Sequence, residues 1–288
     1  MQSVAERAAA PLDVAPVIPI QLSNDKPDAA WVRATQRRRW RRRMLPIAGG
    51  AALLLFWWAL VTVFQVRPFI APAPQVVAVT FVHHFGMLMN NLAPTAIEAV
   101  CGFLLGNLAA IVTATVFVHA KTMEEAFYPI AVLINSIPVV AKAPILILLL
   151  GNGLSPKIAI AAIICFFPTL VNMVRGLEAV SPQAMELMHV LSATKIEVFL
   201  KLRLPSSLPY LFSALKIAAS TATVGAIVGE WIGSQVGIGA LIIQATYNFD
   251  SALLYATVFC GSFFSVTFFL VIRGIERIAI RWQPDAAH

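Results

Sequence analysis

The sequence predicts an all-α, polytopic membrane protein with six transmembrane helices. Of its 288 residues, 59% are hydrophobic and only 12% are charged, whereas an ordinary soluble domain carries roughly 25% charged residues. A chain that is this apolar and has so few charges cannot form a water-soluble surface. The excess apolar side chains must therefore face lipid. Several apolar runs also approach the length of about 20 residues that a helix needs to cross a membrane.

The apolar runs place the spans in order along the chain. The first, from Met44 to Val66, is too long for the core of a cleaved signal peptide and is followed by further spans. Pro138 and Pro144 interrupt the third span, and Pro168 the fourth, which suits helices that frame a path through the membrane. For Pro168, the alternative is a kink without functional meaning. The predicted spans are residues 44–66, 91–118, 125–150, 157–174, 209–229 and 252–273.

The net charge of +7 comes from one N-terminal cluster and not from a basic face. Without that cluster the chain holds 14 basic and 14 acidic residues, which argues against a nucleic-acid partner. Residues 1–43 show no helical period over their first 30 positions and are predicted to be a disordered tail that ends in the cluster. The seven clustered arginines are Arg33, Arg37, Arg38, Arg39, Arg41, Arg42 and Arg43.

The remaining basic residues predict the orientation. Loops on the outer side hold only Arg67 and Lys157, and the outer segment 230–251 holds no Lys or Arg. Because basic loops stay on the cytoplasmic side, we expect both the 1–43 tail and the 276–288 tail in the cytoplasm. The loops predicted on the inner side hold Lys121, Arg175, Lys195, Lys201 and Arg203.

Residues 175–208 form a segment too long for a simple connection. Ala184, Leu187, Met188 and Leu191 repeat at helical spacing, and a second such pattern follows Thr194. The segment is therefore predicted to be a helix, a turn and a second helix that ends at Leu204-Pro205. An amphipathic hairpin of this kind suits docking to a cytosolic protein, and the alternative is a helix lying in the lipid interface.

The hairpin resembles the EAA loop of ATP-binding-cassette (ABC) importer permeases. Leu187 and Met188 replace the two alanines of that motif, and Ser192 replaces its usual glycine. A serine there must adopt a left-handed backbone that glycine adopts freely. The residues that carry the resemblance are Glu186, Leu187, Met188, Ser192, Ala193, Thr194, Phe199, Leu204 and Pro205.

The resemblance covers residues 90–275 and implies the six-helix fold of a type I importer permease. It implies that residues 186–197 form a coupling helix that docks on an ATPase subunit. It further implies a homodimer of this chain, two ABC ATPase subunits that hold the ATP and Mg, and an external solute-binding protein. The location implied is the bacterial inner membrane, and no cofactor is expected on this chain.

Within that family, the segment Thr95–Phe103 resembles permeases for sulfonates, taurine, nitrate and pyrimidine precursors of thiamine. Glu98 is more frequent in members that resemble pyrimidine or riboflavin importers. The segments Gly229–Gly233 and Gly237–Gly239 also resemble the pyrimidine-precursor branch. The resemblance therefore implies a small organic solute or anion as cargo.

Three ionisable residues stand out among the predicted spans: Glu98 in the second, Lys142 in the third, and Glu230 at the outer end of the fifth. Such residues are costly in a bilayer and mark functional sites by default. All three fall in the outer half of the membrane, so we expect them to line the mouth of the translocation path. The alternative is an internal ion pair that fixes helix packing, or a Lys142 that reaches up to the interface.

Several glycines recur at four-residue spacing, which predicts close approach of helices. They are Gly102 and Gly106, and the series Gly225, Gly229 and Gly233.

No phosphate-binding loop of the GxxxxGK[ST] type and no H-E-x-x-H motif occurs, and the three cysteines are too far apart to suggest a metal site. We therefore expect a transport subunit without catalytic residues. The rival from another class is an ATP-independent channel or secondary carrier.

Overall fold

A computed structural model describes residues 29–280, and this range is entirely helical apart from turns and short connections. Residues 1–28 and 281–288, which belong to the two predicted tails, lie outside it. The described range divides into two units between Phe56 and Trp57. The helices are α1 (Ala29–Val63), α2 (Pro74–His83), α3 (Phe85–His119), α4 (Lys121–Ser136), α5 (Val139–Leu150), α6 (Leu154–Glu178), α7 (Pro182–Val190), α8 (Lys195–Val198), α9 (Leu204–Glu230), α10 (Ile238–Tyr247) and α11 (Ser251–Ala279).

Five helical stretches are long and apolar enough to cross a membrane, and a sixth span is formed if α4 and α5 count as one. This confirms the predicted all-α membrane architecture. Several helices extend beyond the predicted bounds. Two of them reach into the predicted tails: α1 begins at Ala29, so residues 29–43 are helical, and α11 continues to Ala279. In the second unit, Trp57 stacks on Tyr255 and Phe259 of α11, with ring centroids 5.7 and 6.0 Å apart.

The third predicted span, residues 125–150, is not one kinked helix. It is broken into α4 and α5, which meet at an angle of 102°. Ile137 is extended, with φ −67° and ψ 128°, because the ring of Pro138 disfavours the helical conformation in the preceding residue. Pro138 also has no N–H to continue the helix, so α5 begins afresh at Val139.

The central helix is α6, which packs between α3 and α9 through small residues. Ala161 is the meeting point, because a Cβ atom on Gly102 of α3 or on Gly225 of α9 would collide with it. Gly106 lies equally close to the backbone of Ala162. The predicted close packing is therefore confirmed within one chain. The exception is Gly233, which lies beyond α9 in a turn with φ +75°.

The segment 230–251, predicted as an outer connection, contains the short helix α10. Ile238 and Leu241 of α10 are buried together with Leu88 of α3 and Cys260 of α11. At the opposite end of the second unit, Lys121 at the start of α4 lies 3.2 Å from Glu178 at the end of α6. We call this opposite end the hairpin end, because α7 and α8 follow directly from it.

Candidate functional site

The helical hairpin formed by α7 and α8 has a tightly specified turn. The Ser181 hydroxyl caps the start of α7 by accepting a hydrogen bond from the Ala184 N–H at 3.3 Å. At the other end, the N–H groups of Ser192 and Ala193 donate to the carbonyls of His189 and Met188 at 2.9 and 3.0 Å. This pair of bonds is the Schellman C-cap, and Ser192 adopts the left-handed φ of +51° that the motif requires. The predicted left-handed serine is confirmed.

The second helix of the hairpin starts at once. The Thr194 hydroxyl accepts a hydrogen bond from the Glu197 N–H at 3.3 Å, and the Glu197 carboxylate accepts one from the Thr194 N–H at 3.0 Å. This reciprocal pair is a capping box. No residue separates the C-cap motif of α7 from the N-cap of α8, so the turn has little freedom to flex.

The sequence predicted that the second helix ends at Leu204-Pro205, and this prediction is wrong. The helix runs on through a π-helical turn, Phe199–Arg203, into α9. The Leu204 N–H bonds to the Phe199 carbonyl, and this wider turn accommodates Pro205, which has no N–H to donate. Residues 195–230 therefore form a continuous helical stretch, which joins the second helix of the hairpin to a candidate membrane span without a break.

The hairpin carries large apolar side chains that are more than half exposed. Val190 and Ile196 are the most exposed, at 80% and 69%. Of the predicted coupling residues, Glu186, Leu187, Ser192 and Thr194 are exposed, and Met188, Ala193, Phe199, Leu204 and Pro205 are half-buried. We call the exposed apolar set the hairpin ridge, and it consists of Leu187, Val190, Leu191, Ile196 and Leu200.

The far end of the second unit holds a buried ion pair. Glu98 of α3 is completely buried, and its carboxylate lies 3.1 Å from the ammonium of Lys157 at the start of α6. Lys157 also donates a hydrogen bond of 2.8 Å to Ser234 in the connection after α9. The sequence assigned Lys157 to an outer loop and so missed it. The close approach of α3 and α6 at Gly102, one turn below Glu98, brings the two charges together.

Glu230 lies at this same end and caps helix α10. Its carboxylate accepts a hydrogen bond from the Thr95 hydroxyl at 2.6 Å and from the Gly239 N–H at 2.5 Å. The Thr95 oxygen in turn accepts from the Ile238 N–H at 2.9 Å. A Cβ atom on Gly237 or Gly239 would collide with Glu230, which explains the Gly-Ile-Gly sequence. A carboxylate at a helix N-terminus is also favoured by the helix dipole.

Lys142 lies apart from these two carboxylates. It is buried on α5, beside Ala143, and makes no ion pair with any residue in the described range 29–280. The structure thus separates the predicted set into two packed carboxylates and one free lysine. A separate cavity of about 450 Å³ lies between α3, α4 and α6, and Asn135 contributes a polar side chain to its apolar wall.

These features define a class of protein: a helical membrane permease whose capped hairpin continues into a transmembrane helix. The chain belongs to the family of binding-protein-dependent transport system inner membrane components, whose model matches residues 102–282. It is therefore a permease subunit of the ABC importer class, which confirms the resemblance that the hairpin residues carry.

Named relatives agree with this family. The formylaminopyrimidine transport permease ThiX of Halalkalibacterium halodurans is 32% identical over 75% of this chain and 87% of its own. The riboflavin transport system permease RibX of Chloroflexus aurantiacus is 33% identical over 78% of this chain and 85% of its own. Among solved structures, an inward-facing MetNI methionine ABC transporter matches 68% of this chain and 96% of its own, with a TM-score of 0.55 and 18% identity. That likeness confirms the fold.

Proposed function

We propose that this chain imports a small nitrogen heterocycle, related to pyrimidine precursors or flavins, across the bacterial inner membrane. The relatives at 32% and 33% identity carry formylaminopyrimidine and riboflavin in their names. Relatives named for aliphatic sulfonates and nitrate are more distant, at 25% and 26% identity. This difference favours the heterocycle over a sulfonate, taurine or nitrate cargo.

The proposed assembly is a homodimer of this chain with two ABC ATPase subunits and an external solute-binding protein. The ATPase subunits bind ATP and Mg and supply the energy, while this chain alternates between inward- and outward-facing states. Both termini and the hairpin lie in the cytoplasm. ATP can drive such a shift only if the ATPase binds the two states with different affinity.

The proposal that an ATPase docks on this chain rests on the hairpin ridge. Five apolar side chains that are more than half exposed lie about a turn held by a Schellman cap and a capping box. An exposed apolar patch of this kind marks an interaction surface. The rigid turn and the continuous stretch 195–230 then carry a rigid-body movement of the ATPase into α9.

Translocation is proposed to involve Lys142, which keeps a free ammonium beside a broken span. We propose that Glu98 and Glu230 instead fix helix packing. Glu98 forms an ion pair with Lys157, and Glu230 accepts a hydrogen bond from Thr95. They form the fixed outer end of the path and do not contact the cargo.

The docking proposal is tested with the double variant Val190→Asp/Leu191→Asp, co-expressed with the ABC ATPase subunits. Two charges on the ridge should abolish co-purification of the ATPase and ATP-dependent uptake of riboflavin or formylaminopyrimidine, because charge cannot enter an apolar interface without a partner. The matched control Val190→Ile/Leu191→Met keeps the ridge apolar and should retain both. Normal co-purification of the charged variant would contradict docking at the ridge, and uptake that survives ATP depletion would favour the channel or carrier alternative.

A further inference from the structure

We propose that a basic pocket beneath the hairpin binds a phosphate group. The pocket has a volume of about 380 Å³ and lies between the end of α3 and the inner face of α7 and α8. Four basic side chains from these elements and the following π-helical turn line it, and no acidic side chain does so within the described range. The four are His119, His189, Lys195 and Arg203.

The basic groups have no acidic partner in the described part of the chain. Glu197 lies two residues from Lys195, but its carboxylate already pairs with Lys201 at 3.2 Å and accepts a hydrogen bond from the Thr194 N–H. His119 is held in place, because its Nδ1 donates to the Thr115 carbonyl at 2.8 Å and its ring lies edge-on to Phe199. Because Nδ1 holds one proton, the Nε2 atom of His119 can donate to an anion only in the imidazolium form, which a bound phosphate would favour.

The pocket and the hairpin ridge occupy opposite faces of α7. Met185 and His189 line the pocket one helical turn apart, whereas Leu187 and Leu191 belong to the ridge. A protein docked on the ridge therefore does not fill the pocket. The space left suits a small anion, and a phosphate oxyanion can accept charge-assisted hydrogen bonds from several directions at once.

Two sources present this chemistry: the headgroup of an anionic phospholipid and a free phosphate-bearing solute. Val118, Met185 and Val198 give the pocket an apolar wall beside its basic groups, which suits either source. A bound phosphate would join the end of α3 to the hairpin, and so tie a membrane helix to the element proposed to couple it. The inference does not require ATPase docking, because binding is measured on the permease alone.

The test uses the purified full-length permease without ATPase subunits, which would themselves bind phosphate. Inorganic phosphate should raise the melting temperature in neutral detergent above the effect of chloride at equal ionic strength. In a second arm, native mass spectrometry reports the phosphatidylglycerol retained from mixed phosphatidylcholine–phosphatidylglycerol nanodiscs. The double variant His189→Gln/Lys195→Gln changes only exposed side chains and should weaken phosphate or lipid binding by about tenfold or more.

The control is Lys201→Gln, which removes the same charge from the hairpin outside the pocket. Lys201→Gln should bind phosphate and phosphatidylglycerol as the parent chain does. A folded Arg203→Gln variant should show the same loss of binding as the double variant. Retained phosphatidylglycerol identifies the headgroup as the source, and a phosphate response alone identifies a free solute. Absence of both responses, or an equal loss in Lys201→Gln, would overturn the inference.

Discussion

Glu98 and Lys157 are a buried pair, so removal of one partner leaves an uncompensated charge inside the helix bundle. We expect Lys157→Met to lower the free energy of unfolding by about 3–5 kcal/mol. The double variant Lys157→Met/Glu98→Gln should recover most of this loss, because the neutral amide no longer needs a cation. Thermal unfolding of the purified permease, followed by tryptophan fluorescence, measures both. A double variant no more stable than Lys157→Met would show that the pair is not the cause.

Lys142→Met is the matched comparison for this prediction. Lys142 is also buried but has no acidic partner in the described chain, so its replacement leaves no orphan charge and should not lower stability. If Lys142 contacts cargo, as proposed, this variant should instead show reduced uptake with normal assembly.

The individual residues show where sequence reasoning succeeds. The left-handed Ser192 was predictable because the C-cap conformation is local and depends on a few consecutive residues. The partner of Glu98 was not predictable in the same way. It depends on how α3 and α6 lie against each other, and residues 98 and 157 are far apart in sequence.

The packing of α3 against α6 depends on glycine at the point of contact. We expect Gly106→Ala to lower stability by about 1–3 kcal/mol, because its new Cβ atom would overlap the carbonyl of Ala162 and force the two helices apart. Gly86→Ala is the control in the same helix. It has open space around it and should be neutral or stabilising, since alanine is the better helix former. Equal melting temperatures for the two variants would contradict the proposed contact.

Among the elements, the long helices were predictable because an apolar run of sufficient length has few alternatives in a membrane. The break between α4 and α5 was predictable only in part. The sequence identified Pro138 as an interruption, but a proline can kink or end a helix, and the 102° angle is set by packing. Helix α10 was missed because its N-terminus is completed by Glu230 and Thr95, which belong to other helices.

Across the whole molecule, basic residues gather at one end of the helices. Lys121, Lys195, Lys201 and Arg203 lie at the hairpin end, whereas the connection between α9 and α10 contains no Lys or Arg. The positive-inside rule therefore predicts that the hairpin end lies in the cytoplasm. By the same prediction, the Glu98–Lys157 pair and the Glu230 cap lie at the outer face, where buried polar contacts hold the helices, and the exposed apolar ridge lies at the inner face.

This orientation predicts a labelling pattern for single cysteines placed at the two ends. Val236→Cys, in the connection before α10, should react with a membrane-impermeant maleimide in intact spheroplasts, because Val236 is exposed and its connection is predicted on the outer side. Lys201→Cys, on the hairpin, should react only after the membrane is permeabilised. The parent chain is the control, since Cys165 and Cys260 are buried and Cys101 lies within α3, so it should remain unlabelled. Labelling of Lys201→Cys in intact spheroplasts would invert the topology and remove the hairpin ridge from the reach of any cytosolic ATPase.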